Sequence, residues 1–535
     1  MTATTFDSNE ALHAYLTQLI LPPHLRGETN VVSQEILAGY NVPGLSVAFL
    51  PRAKDLDEYA QTSAQTATFG LRDAKDASSA VDSETLFEAA SISKPFTALA
   101  VLRLVAQGKL DLDADIAQYL ALDESNEVTR DALHQSSLTD ASNTPQTPIT
   151  LRLLLAHRSG LSTVSGFAGY SAPLTTIPST VASLNGASPA NHRPIRAFTL
   201  PGLGTSYSGG GTTLLQHILS LVTHGKPFPQ LMEELVLAPL GMARSTYIQH
   251  EPDANYAVGH TTAEQGYPGT RGMGVVYPEM AAAGLRTTPS DNLRGLRKVY
   301  DCLLGANDFL PHALVAEAFT ESGGWGGFGV GWQLDTLSTD EAAGTRHVVI
   351  SHGGSNQGFR CMFALVGDVP IDFGAPLKSP KPPVAFAAMT NSDYGAHIVS
   401  SVAAAFGWLA EEPTKGSVKL YFPALARTPE ELDLVAKRTD GWREWVGKWQ
   451  VKKEGEDVTL EVIELESGPG LRVSTLGAAA DVVVLLPAAR YDPNTIFWTV
   501  RNMEVAVGFK KAKEGEEIAL EVHQNGESYV AGKTS

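Results

Sequence analysis

The sequence predicts an α/β (α+β) domain built on a central antiparallel sheet, followed by a separate all-β domain. Three observations carry this. Helical and strand-like patterns are mixed up to about Glu412, four strand-like runs cluster between Gly327 and Asn391, and short alternating segments dominate from Gly441 onward. The expected boundaries are 1–412 for the first domain, 413–440 for a linker containing Pro413, Pro423 and Pro429, and 441–535 for a β-barrel or β-sandwich.

Bulk properties narrow the class. A chain of 535 residues exceeds one small core, and 43% apolar with 18% charged residues is an ordinary globular balance. The net charge of -18 disfavours a nucleic-acid partner, because phosphate backbones need a basic face. No apolar run is long enough to span a membrane, and the first residues lack the basic and apolar regions of a signal peptide. Cys302 and Cys361, the two cysteines, have no metal-like spacing and suggest neither a disulfide framework nor a zinc site. The expectation is a soluble cytoplasmic protein.

Taken in order, residues 8–20 read as a helix and Val42 to Leu50 as a strand. A helix begins near Ser91. The polar stretch from Asp123 to Thr147 reads as an exposed insertion, and the Gly/Pro/Ser-rich stretch from Thr163 to Ser206 as a long lid or binding loop. Helical patterning resumes at TTLLQHILSLVTHG and DNLRGLRKVYDCLLG. The runs GFGVGWQLDTL, HVVISHGG, GFRCMFALVG and PVAFAAMTN form the sheet, and AHIVSSVAAAFGWLA closes the domain as a helix. A short helix near PEELDLVAKR falls in the linker. Beyond it VTLEVIEL, LRVSTL, DVVVLLPA, TIFWTV, VAVGFKK and IALEV alternate as strands.

The chemistry centres on FEAASISKPFTALAVLRLVAQGKL, Phe87 to Leu110. Ser91 begins the helix, where a hydroxyl faces unpaired N–H groups, and Pro95 fits the first turn. Lys94, three residues on, shares its face. This is either an exposed helix start or a nucleophile with its activator, since a partly desolvated lysine can take a serine proton. It is the only S-x-x-K in the chain.

The neighbouring blocks decide between these. S-x-x-K is a known signature of the serine β-lactamase and penicillin-binding-protein superfamily. The chain resembles the class C-like branch of that superfamily, with its esterases, D-aminopeptidases and acyltransferases. The resemblance rests on FEAASISK, TLRLLLAHRSGL, PGLGTSYSGGGTTLLQHIL, LVLAPLGMARSTY, YPEMAAAGLRTTPSDNL, FGVGWQL, ISHGGSNQGF and MTNSD, in that order across residues 30–408. It implies the β-lactamase/transpeptidase-like fold, with helices on both sheet faces and an all-helical lobe. It makes Ser91 the nucleophile, Lys94 its activator, and Tyr207 the group passing the proton to the leaving group. His352-Gly353-Gly354 stands in place of the family's K-T-G strand motif, and the N–H groups of Ser355 and Ser91 would form the oxyanion hole. No cofactor or metal is implied. The partner is a small ester or amide, and the oligomeric state stays open.

Two departures bear on substrate. The family's Y-x-N is Tyr207-Ser208-Gly209 here, so the amide-gripping asparagine is missing and Gly209 to Gly211 should leave room. His352 replaces the lysine that would fix a substrate carboxylate. Both weaken β-lactams and cell-wall peptides as substrates. The reading is a serine hydrolase working through an acyl-enzyme. The alternatives are an acyltransferase of secondary metabolism, a D-aminopeptidase-like peptidase, and a non-catalytic binding protein that retains the fold. Other motifs are set aside. Ser290 in S-D-N reads as a helix cap, GESYVAGKT lacks the helix a phosphate loop needs, and His157 reads as a structural neighbour of the site. Trp442, Trp445 and Trp449 read as a short helix or turn packing on the β-domain.

Overall fold

The structure is a computed structural model that describes residues 8–20, 40–123, 125, 127–129, 133, 148–161, 167–170, 177–197, 201–202, 204–249, 255–262, 265–266, 275–323, 327–409, 442–453, 456–465, 468–473, 482–487, 495–500, 505–510, 519–524 and 527–534. The expected linker, with its helix near PEELDLVAKR, lies outside them.

Period-two side-chain alternation builds the main sheet. Leu45, Val47 and Phe49 face one apolar cluster while Ala48 and Leu50 face another. In the neighbouring strand Phe386 and Ala388 join the first cluster, and Ala385 and Ala387 the second. The registers Phe49↔Phe386 and Ala48↔Ala387 put like with like. Both strands are therefore buried on both faces, which explains their unbroken apolar runs. The sheet is antiparallel throughout, in the order Gln65–Gly70, Gly44–Leu50, Val384–Thr390, Phe359–Pro370, Thr345–Asn356, Gln333–Asp340.

Helices Asn9–Ile20 and Ala396–Leu409 cover one face through Leu12, Leu16, Ile398, Val402 and Phe406. On the other, Ser93–Ala106 and Pro289–Tyr300 join the large core, which also holds Leu154, Leu214, Ile218 and Leu231 of the helical lobe. Among the described residues no helix is long and apolar enough to cross a membrane.

Several expectations are corrected. Ser290 does not cap its helix. Thr288 does, its hydroxyl accepting from Asp291 N at 3.1 Å, because Pro289 is pre-set for the first helical position. The Thr163–Ser206 stretch contains a helix, Thr180–Asn185, with Ser179 as its N-cap and left-handed Gly186 as its stop. The Asp123–Thr147 stretch is not uniformly exposed, since Val128 and Leu133 are buried; residues 124, 126, 130–132 and 134–147 lie outside the described ones. The strand expected from Gly327 starts only at Gln333, after Gly331 at φ +90°.

The C-terminal strands form a closed eight-stranded barrel, not a sandwich. The expected strands are all present, with ends shifted by a few residues. The ring closes because Gly447–Lys453 pairs with Glu527–Lys533 at Trp449↔Lys533 and Gln450↔Gly532. The phosphate-loop look-alike is thus a barrel strand. Trp442–Trp445 is a short helix, and Trp449 Nε1 donates to Trp445 O at 2.9 Å, with Trp445 and Trp449 fully buried.

Candidate active site

Ser91 stands on a connection constrained from both sides. Phe87–Glu88 pairs with Arg286–Thr287, and Ala89 N donates to Leu285 O at 2.8 Å. Ala90 holds φ +50°, a left-handed backbone uncommon for a non-glycine residue. One 3₁₀ turn, Ala90–Ile92, then leads into the Ser93–Ala106 helix. Ser91 is not the cap that the sequence suggested, because neither turn nor helix has a side-chain cap. Its Oγ instead accepts from Lys94 Nζ at 3.0 Å. The other hydroxyl of the motif is committed elsewhere: Ser93 Oγ donates to Ala90 O at 2.6 Å and accepts from Leu285 N at 2.9 Å.

Lys94 is 3% exposed. Its Nζ also donates to Ala282 O at 2.9 Å. Burial, with no carboxylate among the described residues to offset it, pulls its ammonium from the ordinary 10.5 down to about 7. A lysine in this state carries a lone pair beside the serine hydroxyl at neutral pH.

An aromatic cluster closes over the pair. Lys94 Nζ lies 4.9 Å from the centre of the Tyr207 ring. His157 stacks at a tilt on Tyr207, centroids 4.4 Å apart, and Phe328 meets His157 edge-on at 4.8 Å. His352 lies 6.1 Å from Tyr207. Burial and the nearby Lys94 charge hold both imidazoles neutral at physiological pH, His352 at about 3 and His157 well below the ordinary value. Their tautomers follow from their partners. His352 Nδ1 lies 2.7 Å from Gly353 O, which can only accept, so Nδ1 carries the proton and Nε2 is a bare acceptor. Among the described residues that Nε2 is buried without a partner.

The Thr345–Asn356 strand brings the third block against the serine turn. A Cβ on Gly354 would sit 2.3 Å from Ala89 O and 2.4 Å from Cys361 Sγ, so only glycine permits this approach. Cys361 Sγ donates to Ala89 O at 3.1 Å and fixes the same contact. Gly353 and Ser355 on that strand are exposed. Gly209 is buried in the first turn of the Gly209–Val222 helix. The expected room at the triple glycine is partly filled, since a Cβ on Gly210 would meet Ile195 Cδ1 at 2.5 Å. The structure therefore gathers Ser91, Lys94, Tyr207, His352 and Gly354 in one place.

Sequence reasoning gave no role to Glu88 or Asn356. Glu88 is buried, accepts from Tyr256 Oη and Asn356 Nδ2, both at 2.8 Å, and its carboxyl is pushed up by desolvation. Asn356 Nδ2 also lies 3.2 Å from Ala283 O. The network ties the serine turn, the glycine strand and the segment holding Lys94. Its signal was a lone carboxylate in an apolar run.

The family model for beta-lactamases matches residues 32–405, more than half of the chain. The chain belongs to the beta-lactamase family. It is 29% identical over 310 residues to esterase EstB of Burkholderia gladioli, a match covering 52% of this chain and 73% of the esterase. It is 28% identical over 273 residues to a beta-lactamase of Providencia stuartii, covering 50% and 58% respectively. Among solved structures, the octameric penicillin-binding protein homologue of Pyrococcus abyssi aligns with TM-score 0.51 at 18% identity, over 93% of this chain and 97% of that one. SurE aligns with TM-score 0.50 at 19% identity, over 97% and 98%. These establish the serine β-lactamase/transpeptidase fold, with an all-β C-terminal region, and a serine hydrolase of that fold.

Proposed function

We propose that the protein forms an acyl-enzyme at Ser91 with a small ester or amide and returns the acyl group to water. The single observation that carries this is the 3.0 Å contact between Ser91 Oγ and a buried Lys94 whose ammonium is brought down to about 7. Neutral Lys94 accepts the hydroxyl proton as Oγ attacks the carbonyl carbon. Negative charge moves to the carbonyl oxygen, which the N–H groups of Ser91 and Ser355 receive. Tyr207 carries the proton from Lys94 to the departing oxygen or nitrogen as the acyl bond breaks. Water then repeats the sequence in reverse roles.

The substrate is one without a carboxylate where the family motif places its lysine. A bare imidazole acceptor at His352 repels a carboxylate and suits a substrate N–H or O–H. The missing cation leaves uncharged esters open as substrates, and the acceptor keeps a D-aminopeptidase-like reading open for substrates whose free amine donates N–H. Fluorophosphonate labelling with intact-protein mass spectrometry tests the core of the proposal. Label should map to Ser91 and vanish in Ser91→Ala; label on another serine overturns it. A panel of p-nitrophenyl esters, D-amino-acid amides and a penicillin, with and without added amine or alcohol, separates hydrolase from acyltransferase and peptidase. A protein that no member acylates is the non-catalytic binding alternative.

A further inference from the structure

We propose that His157 is the positioning residue of Tyr207, a clamp on the backbone to either side of that phenol. The inference rests on the reading of Tyr207 as proton carrier. The backbone O of His157 accepts from Ser206 N at 2.7 Å, and its Nδ1 accepts from Ser208 N at 3.2 Å. One residue thus holds the peptide N–H groups immediately before and after Tyr207. Its ring also lies against the Tyr207 ring at 4.4 Å. Main-chain and side-chain acceptors of one residue reach the same short segment because His157 adopts φ +55°, in the left-handed region. Non-glycine residues leave that region unless the surroundings over-determine them, and such positions cluster at functional sites.

The clamp acts on the segment that leads into a glycine-rich helix start. Tyr207 precedes the Gly209–Val222 helix, whose first residues are Gly209, Gly210 and Gly211. Glycines loosen a helix start, since they lose the most backbone freedom on folding. Ser208 caps the helix through its side chain, accepting from Gly211 N at 2.9 Å. That leaves the Ser208 N–H for His157. Without the imidazole acceptor, a buried amide loses its partner and the tyrosine pivots on a glycine-rich hinge.

His157 does not itself move protons in this arrangement. A backbone N–H only donates, so Nδ1 is unprotonated, and a neutral ring then carries its hydrogen on Nε2. The ring has one job for its Nδ1, and that job is fixed through the catalytic cycle.

Three variants test this in the full-length protein: His157→Phe keeps a ring and loses the acceptor, His157→Asn keeps an acceptor of similar reach and tolerates φ > 0, and Tyr207→Phe removes the phenol. His157→Phe is expected to lower kcat for a p-nitrophenyl ester by about 100-fold with KM nearly unchanged, the scale of an ångström of misplacement. His157→Asn is expected to recover most of that loss. In the Tyr207→Phe background, His157→Phe is expected to change kcat by no more than roughly twofold, because the group it positions is gone. A full additional loss in that background, or a raised KM with unchanged kcat, overturns the clamp. Near-native turnover of Tyr207→Phe overturns instead the proton role of Tyr207. If His157→Phe fails to fold, ¹⁵N-histidine NMR of the unmodified protein still decides. The proton of His157 on Nε2 supports the clamp, and its proton on Nδ1 refutes it.

Discussion

The acylation rate of Ser91 is expected to follow the ionisation of Lys94. The perturbation is pH alone. With the ammonium at about 7, roughly a tenth of the molecules carry a neutral amine at pH 6, half at pH 7 and about nine-tenths at pH 8. The neutral form is the active one, so the rate rises with pH, about tenfold between pH 6 and 8, and then levels. The assay is the second-order rate of fluorophosphonate labelling, read by intact mass, which reports acylation without a chromophore that itself titrates. Three other groups could imitate the step. His352 at about 3 and His157, well below its ordinary value, are neutral throughout the window. Glu88 is the serious competitor, because desolvation raises its carboxyl. Glu88→Gln separates them: the midpoint should stay near 7 even if the plateau falls. A flat profile from pH 6 to 8, or a midpoint that disappears in Glu88→Gln, refutes the assignment of Lys94 as base.

The remaining predictions use the same site. Ser91→Ala should abolish labelling, whereas Ser93→Ala should retain its label while melting at lower temperature, because the Ser93 hydroxyl bridges Ala90 O and Leu285 N; loss of label from Ser93→Ala alone would count against this. Lowering the Lys94 ammonium from 10.5 to about 7 costs the fold on the order of 4–5 kcal/mol below pH 7. The unfolded chain binds the extra proton between those values, so that cost fades as pH rises toward 10. Lys94→Met should therefore be inactive yet more stable than the parent at pH 6, by about 1–3 kcal/mol after the lost hydrogen bonds, with the advantage shrinking at pH 10. Urea melts at both pH values check it, and a less stable variant at pH 6 contradicts it. His352→Lys should shift the ratio of penicillin to p-nitrophenyl butyrate turnover toward the carboxylate substrate by about tenfold or more, the scale of a charge-assisted hydrogen bond, and an unchanged ratio rejects the acceptor role of His352. A chain ending near Ala426 should fold and label at Ser91, since the main sheet is complete by Thr390 and the barrel closes on itself; an insoluble or unlabelled product places the barrel inside the catalytic core.

What was legible in the sequence divides along a physical line. Local chemistry was readable wherever period and punctuation coincide. The Val42–Leu50 and Val384–Thr390 runs are apolar because both sheet faces are covered, and the motif spacing of Ser91 and Lys94 survives as a 3.0 Å contact because residues three apart share one face. Ends and caps were less readable. Thr288 won over Ser290 only because a proline sits between them, and the first and last barrel strands, 447–453 and 527–533, do not stand out from sequence until the ring is seen to need them. Least readable were interactions whose partners are far apart in the chain. Nothing local to Glu88 names Asn356 268 positions away, and nothing local to His157 says that its ring will hold the amide of Ser208. Yet these contacts determine the state of the motif residues. S-x-x-K specifies that a lysine adjoins a serine; it does not specify that the lysine is buried without a carboxylate. Over the ammonium lies Tyr207, packed in turn with His157, Phe328 and His352, an aromatic enclosure assembled from four separated blocks. If the motif alone set the chemistry, opening that cluster with Phe328→Ser would leave the pH midpoint of acylation at about 7. If the enclosure sets it, admitting water should raise the midpoint toward the ordinary lysine value and slow acylation at neutral pH accordingly.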